Sequence, residues 1–295
     1  MSSSSLRAIK RILPRQRPHW VGDGFHVFPV FADLAFTEEL SPFLMFDYAA
    51  PQYFAPITTS PRGVGQHPHR GFETVTIAFQ GEVEHHDSTG NRDVIGPGDT
   101  QWMTAGRGII HEEYHSNNFS KDGGMFEMCQ LWVNLPKKHK MTPPKYQPIL
   151  DKDVPIVNMG QATVRVIAGV LQGVTGPATT FSTVQLWDMT IAKAGTIIDL
   201  PFQEGHNCIV FVRRGEIHIF EKDGSSSPVG PQAVALMEKN GATIRIKAME
   251  DDTSILIMGG EPFNEPIAHR GPFVMNTWEE IQQANADFRS GRMGM

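Results

Sequence analysis

A chain of 295 residues with 40% hydrophobic and 20% charged content has the length for about two domains and the apolar side chains for packed cores, which excludes wholesale disorder. Its 28 glycines and 21 prolines exceed the roughly 12% expected of the two together, favouring turns and short strands over a helix bundle. The net charge is −6, but residues 1–20 carry Arg7, Lys10, Arg11, Arg15 and Arg17 without an acid, so the remainder holds −11 and offers no general footprint for nucleic acid.

Residues 1–20 are expected to form a basic, solvated extension, with a weak helical pattern over part of residues 4–12. They lack the apolar run of ~7 or more residues that a signal peptide requires. Elsewhere the longest apolar runs, Ile209 to Val212 and Ile255 to Met258 among them, fall far short of the ~18 residues of a membrane span. No membrane partner is therefore expected. Cys129 and Cys208 stand 79 positions apart with no CxxC pair, which suits a reducing compartment and a cytoplasmic location.

Further along, Thr74-Val75-Thr76-Ile77, Thr163-Val164-Arg165-Val166, Glu216-Ile217-His218-Ile219 and Thr243-Ile244-Arg245-Ile246-Lys247 alternate polar and apolar residues, the period of half-buried strands. Ser88-Thr89-Gly90-Asn91, Gly96-Pro97-Gly98-Asp99 and Asp223-Gly224-Ser225 punctuate them as hairpin turns do. The pattern predicts an antiparallel, all-β architecture. Lys137-Lys138-His139-Lys140-Met141-Thr142-Pro143-Pro144 reads as a linker, dividing residues 21–140 from residues 141–260. In the tail at 261–295, Thr277-Trp278-Glu279-Glu280 is a capping-box pattern ahead of Ile281, Ala284 and Phe288, predicting one helix that packs back on the barrels. An offset of 134 residues superposes Gly71 on Gly205, Gly81-Glu82 on Gly215-Glu216, Gly96-Pro97 on Gly230-Pro231 and Met103 on Met237, which predicts a duplicated barrel.

Six of the twelve histidines fall between His67 and His115. In His67-Pro68-His69 the two imidazoles at i and i+2 project from one face of a strand, and Pro68 confines that strand to an edge or a start. His111 and Glu113 repeat the spacing. Two such pairs on neighbouring strands converge on one point inside a barrel, giving three nitrogen ligands and one carboxylate. On an octahedral first-row metal this leaves up to two positions for substrate or dioxygen. Iron(II) leads, and manganese, nickel, cobalt, copper and zinc suit the same donors. Under the 134-residue offset the four residues correspond to Pro201, Gln203, Arg245 and Lys247, so the second barrel is expected to hold no metal. His111-Glu112-Glu113-Tyr114-His115 also matches H-E-x-x-H, a zinc-protease pattern that requires a helix. Gly106-Arg107-Gly108 and Ser116-Asn117-Asn118 bound any such helix to about two turns, below the length at which helices hold themselves.

With these residues in view, the chain resembles the pirin family of the cupin superfamily. The likeness runs through His67-Pro68-His69-Arg70-Gly71-Phe72-Glu73-Thr74 and Gly98-Asp99-Thr100-Gln101-Trp102-Met103-Thr104-Ala105-Gly106-Arg107-Gly108-Ile109-Ile110-His111-Glu112-Glu113. It extends through Gln130-Leu131-Trp132-Val133-Asn134-Leu135-Pro136 and Gly271-Pro272-Phe273-Val274-Met275-Asn276-Thr277 to roughly residues 20–290. The resemblance implies an all-β fold of two tandem cupin (double-stranded β-helix, jelly-roll) barrels packed together, with a short C-terminal helix. It also implies one metal, iron in characterised members, held in the first barrel by His67, His69, His111 and Glu113. The wider cupin pattern takes its carboxylate from the position of Glu73; pirins use the later one, which leaves Glu73 a supporting residue.

Two functions follow from the resemblance. The first is quercetin 2,3-dioxygenase activity on a flavonol-like aromatic substrate and dioxygen, with Glu113 as the catalytic base that takes the 3-hydroxyl proton. The second is a metal-dependent, redox-responsive regulator with a protein partner. Trp102 and Met103 are expected in the core, His85-His86-Asp87 in a strand-end turn, Arg70 at a solvated strand end, and Glu112 pointing away from the metal by alternation. Phe46, Phe54 and Trp102 are the aromatic candidates for a substrate pocket.

Overall fold

In the computed structural model, which describes residues 5–294, the chain forms two compact units. The first comprises residues 16–38, 43–151 and 263–294; the second comprises residues 5–15, 39–42 and 152–262.

The first unit pairs a seven-stranded sheet with a four-stranded one. The larger runs in the order Lys145–Ile149, Thr100–Thr104, Phe72–Gln80, Gly124–Asn134, Phe43–Phe54, Phe25–Pro29 and His19–Val21. The smaller runs Gly63–His69, Ile109–His115, Val83–Asp87 and Arg92–Ile95, and the ladders in both are antiparallel. Phe25, Val27, Ala49, Ala78 and Met128 from the larger sheet meet Val83 and Ile95 from the smaller in one apolar cluster, so this is a jelly-roll sandwich closed around its own core. The strand Ile109–His115 shows how sequence sets the faces. Ile109, His111, Glu113 and His115 are buried while Ile110, Glu112 and Tyr114 lie on the wetter side. Thr74, Val75, Thr76 and Ile77, expected to be half-buried, are instead all inaccessible: the polar face is covered as well as the apolar one, with Thr76 Oγ1 engaged by Glu113 and Gln130.

The second unit repeats the plan. Its seven-stranded sheet is Ile9–Leu13, Val234–Met237, Asn207–Arg214, Thr253–Gly260, Val184–Ile191, Ala162–Ala168 and Ile156–Met159; its smaller sheet is Ile197–Pro201, Thr243–Ala248, Ile217–Phe220 and Ser226–Val229. Trp187, Val210, Ile217, Ile246 and Ile257 belong to its core. The predicted 134-residue offset is visible in the backbone. It carries Gly63–His69, Val83–Asp87, Arg92–Ile95, Thr100–Thr104 and Ile109–His115 onto Ile197–Pro201, Ile217–Phe220, Ser226–Val229, Val234–Met237 and Thr243–Ala248. At the positions of the first unit's candidate ligands this unit has no imidazole and no carboxylate, and Arg245 is paired at the surface with Asp199 through two 2.7 Å hydrogen bonds.

Three boundaries depart from expectation. Among the described residues the basic start is neither a helix nor a free extension: Ile9–Leu13 pairs antiparallel with Val234–Met237. Arg7 is buried there because its guanidinium finds three carbonyls, donating to Gln203 O at 2.6 Å, His206 O at 2.8 Å and Gly241 O at 3.1 Å. The stretch expected as a linker belongs to the first unit, since Lys145–Ile149 returns to pair with Thr100–Thr104 and the division falls at residue 151. Lys140 within it is buried, donating to Gly71 O and Val274 O at 2.8 Å and to Asn134 Oδ1 at 2.5 Å; burial pushes its pKa down to about 7.

The tail also belongs to the first unit. Its helix Trp278–Arg289 carries the expected capping box, with Glu280 N donating to Thr277 Oγ1 at 3.2 Å and Thr277 N to Glu280 Oε2 at 2.9 Å. Ile281 and Ala284 pack against Phe273, Met275 and Met293, whereas Phe288, expected on the same face, is 40% exposed. Arg70 is buried rather than solvated. It donates to Arg107 O at 2.6 Å and to Asp287 Oδ2 at 2.8 Å, tying the helix to the residue beside His69 and, with Gln283 and Arg292, holding Asp287 down to about 2.

Candidate metal centre

Two neighbouring strands of the smaller sheet deliver the predicted residues. Gly63–His69 is an edge strand, which is why Pro68 is tolerated in it. His67 lies directly opposite His111, and Ile109 opposite His69. The three imidazoles meet, with ring centroids 4.3 Å apart for His67 and His111, and 4.8 Å apart both for His69 and His111 and for His67 and His69. One nitrogen from each lies within 4.8 Å of the others.

Between His111 and Glu113 the register shifts by a bulge, a device that re-aims a side chain. Glu113 does not join the three imidazoles in one group; it falls in an overlapping group with His111 and His85. Its Oε1 accepts from Gln101 Nε2 at 3.2 Å and Thr76 Oγ1 at 3.4 Å, and its Oε2 from Gln130 Nε2 at 2.9 Å. Glu73 is held elsewhere, accepting from Thr104 Oγ1 at 2.7 Å, and burial pushes its pKa up to about 7. The H-E-x-x-H reading fails because residues 109–115 are a strand. His115 points into a different environment, with Nε2 on Gly24 O at 2.8 Å among Phe25, Phe54, Phe119 and Phe126.

The donor set fits a divalent transition metal. Each of the three imidazoles has its Nδ1 occupied: His67 on Gly65 O at 2.8 Å, His69 on Pro272 O at 3.4 Å and His111 on His85 Nδ1 at 3.4 Å. Such contacts fix a tautomer whose Nε2 lone pair is available. His111 Nε2 is buried without a hydrogen-bond partner among the described residues, the kind of orphaned polar atom that a bound cation satisfies. Burial, reinforced by the neighbouring imidazoles, lowers His69 to about 3 and His111 well below its ordinary value, so both are neutral and ready to donate.

His85, expected in a strand-end turn, does more than close one. Asp87 holds that turn through Thr89 and Asn91, and its Oδ2 also accepts from His85 Nε2 at 3.0 Å. Burial opposes its ionisation, but the hydrogen bonds from His85, Thr89 and Asn91 outweigh burial and keep its pKa below the ordinary range. The result is a chain from His111 Nδ1–H through His85 to the Asp87 carboxylate, which orients His111. His85→Leu is therefore expected to weaken metal binding about 10- to 100-fold, read by competition with a chelator, while the fold persists.

Beside the imidazoles lies a cavity of about 310 Å³ lined by Val21, Phe25, Val27, Met45, Asp47, Val64, Met128, Gln130, Trp132 and Pro272 together with His67, His69 and Glu113. Its aromatic walls are Phe25 and Trp132. Of the other aromatic candidates, Phe46 is an inaccessible core residue, Trp102 lies in the core as expected alongside Met103, and Phe54 packs on His115 and Phe126. Sequence reading also passed over Gln101 and Gln130, which hold Glu113, and Pro272, which comes from the tail to meet His69. All three lie inside family-like segments, and that likeness is the signal they carried.

Two jelly-roll units, one with an inward imidazole cluster beside an apolar cavity, define a two-domain cupin. The Pirin family model matches residues 24–133 and the Pirin C-terminal cupin domain matches residues 186–294. The chain belongs to the pirin family. It is 50% identical over 276 residues to a protein of Pseudomonas aeruginosa named "Putative quercetin 2,3-dioxygenase", covering 93% of this chain and 94% of that one. It is 34% identical to a protein named Pirin from Rattus norvegicus, covering 86% and 83%. A crystal structure described as quercetin 2,3-dioxygenase from Acinetobacter baumannii superposes with a TM-score of 0.92 at 45% identity, covering 99% of this chain and all of that one. Among the described residues no helix is long and apolar enough to cross a membrane.

Proposed function

We propose that the chain is a metal-dependent dioxygenase of the quercetin 2,3-dioxygenase type, taking a flavonol-like aromatic substrate and dioxygen. The observation that carries this reading is a cluster of three imidazoles opening on an apolar cavity at the lower end of the ~300–1,000 Å³ of small-molecule sites. A regulator that signals through its surface has no need of such a cavity. The similarity to proteins named as quercetin dioxygenases supports the same reading.

His67, His69 and His111, with Glu113, would hold the metal, iron(II) first among the candidates. Once bound, it supplies Lewis-acid and one-electron redox chemistry. The chain's own residues do the rest. Phe25, Met128 and Trp132 wall a flat ring system against apolar surface and exclude water. Glu113 takes the proton of the flavonol 3-hydroxyl, and Gln101, Gln130 and Thr76 keep its carboxylate in place for that transfer.

The test is dioxygen uptake with quercetin by freshly purified, reduced protein, expressed per bound metal and compared with His69→Ala. Uptake that tracks metal and vanishes in the variant is expected. No uptake from a fully metallated sample would overturn the flavonol reading.

A further inference from the structure

The cavity has a second polar group that the chemistry above does not use. Asp47 lies on Phe43–Phe54 directly opposite Gln130 of Gly124–Asn134, and both residues line the cavity. Residues paired in this way project from one face. Met45, two positions earlier, lines the same wall. Gln130 is committed, donating to Glu113 Oε2 at 2.9 Å and to Thr76 Oγ1 at 3.2 Å. Glu113 is committed as well, accepting from three side chains. The Asp47 carboxyl has no hydrogen-bonding or charged partner among the described residues.

A half-buried carboxyl in an apolar wall is costly unless something pairs with it. Of the surrounding residues, Val21, Val27, Met45 and Met128 offer no donor, and Trp132, whose Nε1 is without a partner among the described residues, does not donate to the carboxyl. Burial alone raises the Asp47 pKa, to about 7, and no neighbouring cation opposes it. A ligand that fills the cavity and displaces water from this carboxyl must bring a partner for it. We propose that Asp47 is the specificity residue of the cavity, accepting a hydrogen bond from a phenolic hydroxyl other than the one presented to the imidazoles. This rests on the flavonol-dioxygenase reading for its substrate class, and it assigns the chain to polyhydroxylated rather than simple flavonols.

The experiment is an anaerobic titration of the metal-loaded protein with quercetin and with 3-hydroxyflavone, which lacks the additional hydroxyls, followed by calorimetry. At pH 8.5, above the raised pKa of Asp47, the parent is expected to prefer quercetin about 10- to 100-fold, the range for a hydrogen bond to a charged group. Asp47→Leu is expected to bring the two within about threefold while leaving metal content unchanged. Asp47→Asn, nearly isosteric, is expected to lower the preference at least threefold and decides the matter should Asp47→Leu fail to fold. A parent without preference, or a preference that survives in both variants, overturns the proposal. The two readings separate: an Asp47-dependent preference without dioxygen uptake sinks the dioxygenase and keeps the recognition site, and normal uptake with an Asp47-independent preference does the reverse.

Discussion

His111→Ala is expected to bind a divalent transition metal on the order of 10³-fold more weakly than the parent, beyond the ~10- to 100-fold that losing a supporting residue costs. The expectation rests on the position of His111 rather than on its being one imidazole among three. It is the residue common to both groups of potential ligands, with His67 and His69 on one side and His85 and Glu113 on the other. Its Nδ1 is engaged by His85 and its Nε2 has no partner among the described residues, so no competing hydrogen bond has to break before it donates. His115→Ala is the control. His115 is as deeply buried, but its Nε2 is spent on Gly24 O inside an aromatic cluster, so its loss should lower stability and leave metal content intact. Metal per chain after equilibration with a chelator, beside the far-ultraviolet spectrum, distinguishes the two. Stoichiometric metal in a folded His111→Ala would remove the imidazole cluster as the centre.

What could be read in the sequence was whatever follows from local period. The i, i+2 spacing of His67 with His69 and of His111 with Glu113 places each pair on one face of a strand, and the structure puts those strands side by side. The capping box at Thr277 is likewise local, and so are the turn glycines that carried the duplication: Gly81, at φ +78°, corresponds to Gly215, at φ +80°. What was missed depends on partners distant in sequence. Arg7 reads as one more basic terminal residue until three carbonyls more than 190 positions away are known to surround it. Pro272 reaches His69 across 203 positions, and Asp47 faces the cavity only because its strand is in register with Gln130. Nor does period set the turn of a carboxylate. Glu113 lies on the predicted face, but two amides and a hydroxyl hold it apart from His67 and His69.

That placement gives the two carboxylates opposite expected behaviour. Glu113→Gln should lower turnover with quercetin by about 10²- to 10⁴-fold, the contribution of a positioned general base, and should weaken metal binding as well. The substitution also sets a donor against the amides of Gln101 and Gln130 that now face acceptor oxygens. Glu73→Gln should leave metal and turnover near the parent's, because Glu73 is bonded to Thr104 and belongs to neither group of potential ligands. Its effect appears in stability instead. Burial raises the folded-state pKa of Glu73 from its ordinary 4.5 to about 7, so between those values the unfolded chain releases a proton that the folded chain retains. The folded state binds more protons there, and stability falls as pH rises, by up to ~3 kcal/mol across the window. Glutamine has no such proton to lose. In denaturant titrations at pH 4.5 and pH 8 the parent should therefore lose more stability than Glu73→Gln, with the variant the more stable of the two at pH 8. If Glu73→Gln lost metal and Glu113→Gln kept it, the carboxylate assignment would pass to the first strand pair, as in the wider cupin pattern.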